Sequence, residues 1–130
     1  TATVSGANHV GGLVGHSSAG TILNCYARGP VDGTTGTITG GLVGTSLSST
    51  YPNIVQNSYT TDAVSGRLIG VNSGDPPVDS FYTTSPIAVP GSWNITNTVN
   101  PAYVWGVGSG INNGYPYLQY FGAQTRLPPP

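Results

Sequence analysis

The stretch GGLVGHSSAGTILNCYARGPV, Gly11 to Val31, is followed by GGLVGTSLSSTYPNIVQNSYTTDAV, Gly40 to Val64, and a worn third version runs RLIGVNSGDPPVDSFYTTSPI, Arg67 to Ile87. Apolar and glycine positions persist while the polar filler changes. Laid over one another, the repeats start at Val4, Val31 and Val64 and pass through Leu13-Val14-Gly15, Leu42-Val43-Gly44 and Leu68-Ile69-Gly70. Successive starts lie 27 and 33 residues apart (Val4 to Val31, Val31 to Val64), and Tyr59 to Tyr82 is 23. The extra length falls in TSLSSTYPN, Thr45 to Asn53, a polar insert and the expected contact loop. A period of about 20 to 50 residues with fixed apolar anchors and elastic loops marks units that cannot bury a core alone and must stack on their neighbours.

Those units must be strands. Glycine interrupts every few residues, costing roughly 1 kcal/mol each inside a helix, and no stretch sustains a 3.6-residue period. Side chains alternate faces along a strand, so the parity that accepts polar residues, Leu23, Gln56 and Asp79, faces water. The opposite parity then points inward as three columns: Ile22, Val55 and Val78; Asn24, Asn57 and Ser80; Tyr26, Tyr59 and Tyr82. At a spacing of about 4.8 Å these side chains form ladders, the aromatics stacking and the amides bonding up and down the column. The expected fold class is all-β, a parallel β-solenoid of about three coils. Gly11-Gly12 and Gly40-Gly41 precede a strand and are predicted as corners, since no helix follows to make a phosphate cradle.

GGLVG, a polar stretch and then GTILNCYARGPVDG together resemble the GLUG repeat of large secreted bacterial surface proteins, including haemagglutinin-like adhesins. The resemblance covers Val4 to Ile87, with the third repeat degraded and Phe81 standing where Cys25 stood; WGVGSGINNGYPYL, Trp105 to Leu118, is similar to the segment that closes such arrays. It implies a right-handed parallel β-helix, an exported bacterial origin and no catalytic role for the repeats.

After Ile87 the spacing changes, and the expected organisation is 1–87 repeats, 88–122 capping segment and 123–130 proline-rich tail or linker. An open solenoid end must be covered. Aromatic residues bury large areas, so Trp93, Tyr103, Trp105, Tyr115, Tyr117 and Phe121 are the candidate cap; the alternative is a sugar-stacking surface. Asn113-Gly114 is predicted to be a hairpin turn between apolar flanks. Asn94 to Thr96, NIT, matches a glycosylation acceptor.

Charge is scarce: four Asp, three Arg, no Glu and no Lys give a net charge of −1, so no basic patch exists to track phosphates and nucleic acid is excluded as a partner. No apolar run approaches the roughly 18 to 20 residues of a spanning helix. Abundant Thr, Asn, Ser and Gly point to an extracellular or cell-surface setting, where the one cysteine, Cys25, is expected buried or paired with another chain. Asp32 and Asp62 flank equivalent valines, and with Arg67 they carry a rival reading as a weak calcium site of a polysaccharide-binding or polysaccharide-cleaving β-helix. Two carboxylates fall short of a six-to-eight-oxygen calcium shell. His9 and His16 bracket the first Leu-Val block, but a zinc site needs at least one more ligand, and a Ser17-His16-Asp triad carries no weight in so serine-rich a chain. The expectation is therefore no catalytic residue, no metal and no cofactor. The predicted function is structural and adhesive, with the uncapped first coil receiving earlier repeats of a longer chain or the far end of a second copy as a head-to-tail filament, and surface glycans as further candidate partners.

Overall fold

The computed structural model describes residues 2–34, 37–48, 50–61, 66–93, 105–108, 110 and 112–118. The protein is all-β, and the described residues contain no α-helix. The first repeat supplies β1 (Val4–Gly6), β2 (His9–Gly11), β3 (Val14–Ser17), β4 (Gly20–Leu23) and β5 (Tyr26–Ala27); the second supplies β6 (Val31–Gly33), β7 (Ile38–Gly40), β8 (Val43–Leu47), β9 (Asn53–Gln56) and β10 (Tyr59–Thr60). The third contributes β11 (Ile69–Ser73) and β12 (Phe81–Tyr82). Each strand pairs, in parallel, with its counterpart in the next repeat: β1 with β6, β2 with β7, β3 with β8 and β8 with β11, β4 with β9, β5 with β10 and β10 with β12. Val14, Val43 and Ile69 stand in one row, and Val4 lies opposite Val31. The hydrogen bonds repeat as well, with Val14 N–H donating to the Leu42 carbonyl and Val43 N–H to the Leu68 carbonyl, both at 3.1 Å. Val64 lies outside the described residues.

Short strands of two to five residues follow from the glycines between them. Gly11 and Gly40 end β2 and β7 without a left-handed φ; they are needed because a Cβ on Gly40 would collide with the Val43 carbonyl oxygen and the Gly70 nitrogen. The corners predicted at the Gly-Gly pairs are thus sites of close backbone approach. The core cluster is Leu42, Val43, Val55 and Leu68, with Val14, Ile22, Ala27 and Ile69 packed on it. Rank in the stack decides burial: Leu42 is 0% exposed, and its counterpart in the first repeat, Leu13, is 49% exposed.

The third repeat enters one residue away from the predicted alignment. Gln56 bridges Val78, Tyr59 pairs with Phe81 and Thr60 with Tyr82. Val78, Ser80 and Tyr82 therefore do not complete the Val55, Asn57 and Tyr59 columns. The reason is backbone conformation: Asn24, Asn57 and Asp79 all take left-handed φ values of 52°, 50° and 45°, a bend that Asn and Asp tolerate better than other L-residues. Anchoring the bend on Asp79, which stays exposed, puts Phe81 in the aromatic column and leaves Val78 exposed as well.

The chain divides into compact units Thr1–Ser85 and Pro86–Pro130. Within the second, Trp93, at the end of a 3-10 turn (Gly91–Trp93), and Trp105 are both buried, with ring centroids 4.7 Å apart. β13 (Trp105–Gly106) pairs antiparallel with β14 (Tyr117–Leu118). The predicted two-residue hairpin at Asn113-Gly114 gives way to a longer connection: Asn112, Asn113 and Gly114 form a left-handed run, and the paired strands start further out. Asn112 closes the connection by donating its amide to the Pro116 carbonyl at 2.7 Å. Tyr115 and Tyr117 are half-buried; Tyr103, Phe121, the NIT segment and 123–130 lie outside the described residues.

Candidate functional site

The bend at Asn24, Asn57 and Asp79 positions a column one residue further along, made of Cys25, Ser58 and Ser80. Cys25 N–H donates to Ser58 Oγ (3.1 Å) and Ser58 N–H to Ser80 Oγ (3.0 Å). Each side chain in turn donates to the carbonyl two residues before it: Ser58 to Gln56 and Ser80 to Val78, both at 2.8 Å, and Cys25 Sγ to Leu23 at 3.2 Å. Neighbouring repeats are thereby tied through side chains as well as through the ladders. Ser80 joins this hydroxyl column in place of the predicted amide column, and Asn57 Oδ1 is buried without a hydrogen-bond partner. Beside it Tyr26 and Tyr59 stack with centroids 5.3 Å apart and planes within 5°. Burial raises the Cys25 thiol above its ordinary value, which keeps it protonated and weakly nucleophilic.

A second polar cluster sits where the sequence predicts a contact loop. Asn53 is buried at the start of β9; its amide donates to Ser46 Oγ (2.8 Å) and the Ser17 carbonyl (3.0 Å), and Ser17 Oγ donates to Asn53 Oδ1 (2.8 Å). Thr45 and Ser46 are likewise buried, in β8. The exposed part of the insert shrinks to Ser48 and 50–52, with Tyr51 at 69% exposure. Polar letters hid this cluster, because a fully bonded Asn reads like loop filler until its partners are known. The Ser17 hydroxyl is engaged by Asn53, away from the paper triad with His16.

Titratable groups gather weakly. Asp32 is exposed on β6, beside a shallow groove lined by Ser5, Gly6, Ala7, Gly33 and Thr34. Asp62, its predicted partner, lies outside the described residues. His9 on β2 and His16 on β3 are both exposed and meet edge to face, centroids 5.3 Å apart and planes at 71°. His9 Nδ1 lies 2.6 Å from the hydroxyl of buried Thr45. No group of three or more His, Cys, Asp or Glu side chains placed to hold a metal occurs among the described residues. No helix among them is long and apolar enough to cross a membrane. A cavity of about 240 Å³ opens at the first repeat between Val4, Gly12, Tyr26, Ala27, Arg28 and Val31, walls that offer apolar and aromatic contact with one guanidinium.

A stacked all-β repeat protein, with hydroxyl and aromatic columns joining successive repeats, is the class these features define. Residues 6–32 match the family described as the GLUG motif, so the chain carries a GLUG repeat there. The matched segment runs from the end of β1 into β6, the length of the first repeat. No curated protein and no solved structure matches the chain.

Proposed function

We propose that the chain is a non-catalytic structural and adhesive module of a secreted bacterial surface protein, wound as a right-handed parallel β-helix of about three coils. The supporting observation is the parallel, like-on-like pairing of successive repeats: valine on valine at Val4 and Val31, glycine on glycine at Gly6 and Gly33, tyrosine on tyrosine at Tyr26 and Tyr59. Such pairing resists extension because every repeat is held to the next by backbone and side-chain bonds alike. The first repeat keeps one strand edge outside these pairings and leaves Val4, Leu13 and Leu23 exposed along it. That edge accepts a further layer of the same kind, either more repeats of a longer chain or the far end of a second molecule, giving head-to-tail growth. The exposed Tyr51 loop supplies a variable contact point for a partner such as a surface glycan.

Negative-stain electron microscopy of the purified protein over rising concentration tests the assembly. Unbranched fibres that lengthen with concentration are expected. Particles that stay discrete at every concentration would remove self-stacking from the proposal.

A further inference from the structure

We infer, resting on the self-stacking proposed above, a specific joint between two copies of this chain. Ser80 and Phe81, in the third repeat of one copy, seat on Cys25 and Tyr26, in the first repeat of the next, as one more step of the same stack. Two leftover groups carry the joint. Along the hydroxyl column each backbone N–H donates to the following repeat, Cys25 to Ser58 Oγ and Ser58 to Ser80 Oγ. Ser80 N–H, the last donor of that series, meets no acceptor among the described residues. At the other end Cys25 Sγ donates to the Leu23 carbonyl, as the two serines donate to theirs, yet it accepts no N–H among the described residues. An unused donor ends the column on one side and an unused acceptor on the other.

The neighbouring rows end in the same matching way. Tyr26, Tyr59 and Phe81 form one row and Val14, Val43 and Ile69 another, so aromatic follows aromatic and branched aliphatic follows branched aliphatic across the joint. Among the described strands, β3 and β5 are outermost in their sheets on the first-repeat side, and β11 and β12 on the third-repeat side. The cavity of about 240 Å³ beside Tyr26 gives the incoming ring room. Leu13, exposed at the same edge, gains the cover that Leu42 receives from Leu68 inside the chain. Two different faces that fit each other make a head-to-tail contact, which repeats without closing. A thiol accepts more weakly than a hydroxyl, so this joint is looser than the two steps within each chain, and it is where a fibre parts.

Cysteine trapping tests the joint. In Ser80→Cys the two thiols of one chain lie two repeats apart, about 10 Å and out of disulfide reach. Across the joint they lie one repeat apart, about 4.8 Å, inside the usual Cα separation of about 4.4–6.8 Å. The full chain, at the concentrations used for microscopy, is treated with diamide, which takes two electrons and two protons from each thiol pair as the S–S bond forms. A ladder of dimers, trimers and higher multimers is expected from Ser80→Cys on non-reducing gels. None is expected from Val107→Cys, whose thiol is exposed in the other unit. Cys25→Ser, which puts a better acceptor at the joint, brings fibres at a roughly threefold lower concentration. Leu13→Glu sets a charge on the edge, exposed in the single chain and covered in the stack, so particles stay discrete at an unchanged melting temperature. Parent fibres without the Ser80→Cys ladder would overturn this joint and leave self-stacking in place. Discrete parent particles with no ladder would overturn both. An equal ladder from Val107→Cys, or dimers from Ser80→Cys combined with Cys25→Ser, would overturn the joint as random collision or tail-to-tail contact.

Discussion

Ser58 is the residue on which the column of hydroxyls turns. It is fully buried, accepts from Cys25 N–H and donates to Gln56, so Ser58→Ala leaves a half-buried backbone donor without its acceptor. A loss of about 1–3 kcal/mol is expected in urea unfolding. Cys25→Ser tests the same geometry from the other side. Because Ser58 and Ser80 already make the equivalent bond, that change is expected to shift stability by less than about 1 kcal/mol. A large loss with Cys25→Ser would show that the thiol packs in a way the column does not explain.

Among the elements, the tight corner between β7 and β8 is the least forgiving. Gly40→Ala drives a methyl into the Val43 carbonyl oxygen and the Gly70 nitrogen, both backbone atoms that cannot swing aside. A cost of about 3 kcal/mol is expected. Gly91, whose Cβ would meet nothing within 4 Å, provides the control: Gly91→Ala is expected to stay within about 0.5 kcal/mol, both variants being compared with the parent by thermal melts. The third repeat shows how an element can be recognised and still be misplaced. Matching Tyr82 to Tyr59 is the natural alignment by letter, whereas the left-handed bend at Asp79 and the Ser80 hydroxyl set the register one residue away. Likewise the insert Thr45 to Asn53 is mostly polar, yet its two ends are core because Asn53, Ser46 and Ser17 satisfy one another.

Across the whole molecule, position in the stack outweighs residue identity. Leu42 and Leu13 occupy equivalent places in two identical pentapeptides, GGLVG, but Leu42 has a repeat on each side. Leu42→Ala is expected to cost about 2–5 kcal/mol, and Leu13→Ala about 1 kcal/mol or less in the isolated chain, measured by chemical denaturation. Equal costs for the two would contradict the burial gradient.

The sequence by itself determined the repeat, its strand character, the like-on-like pairing of the first two units and the corners where only glycine fits, because period and local sterics are properties of neighbouring residues. Tertiary structure alone decided which repeat lies innermost, the register of the third and the meeting of His9 with His16 and Thr45. Those outcomes depend on how far each turn offsets one repeat against the next, and residues 36 positions apart, such as His9 and Thr45, touch only once every intervening turn has been summed.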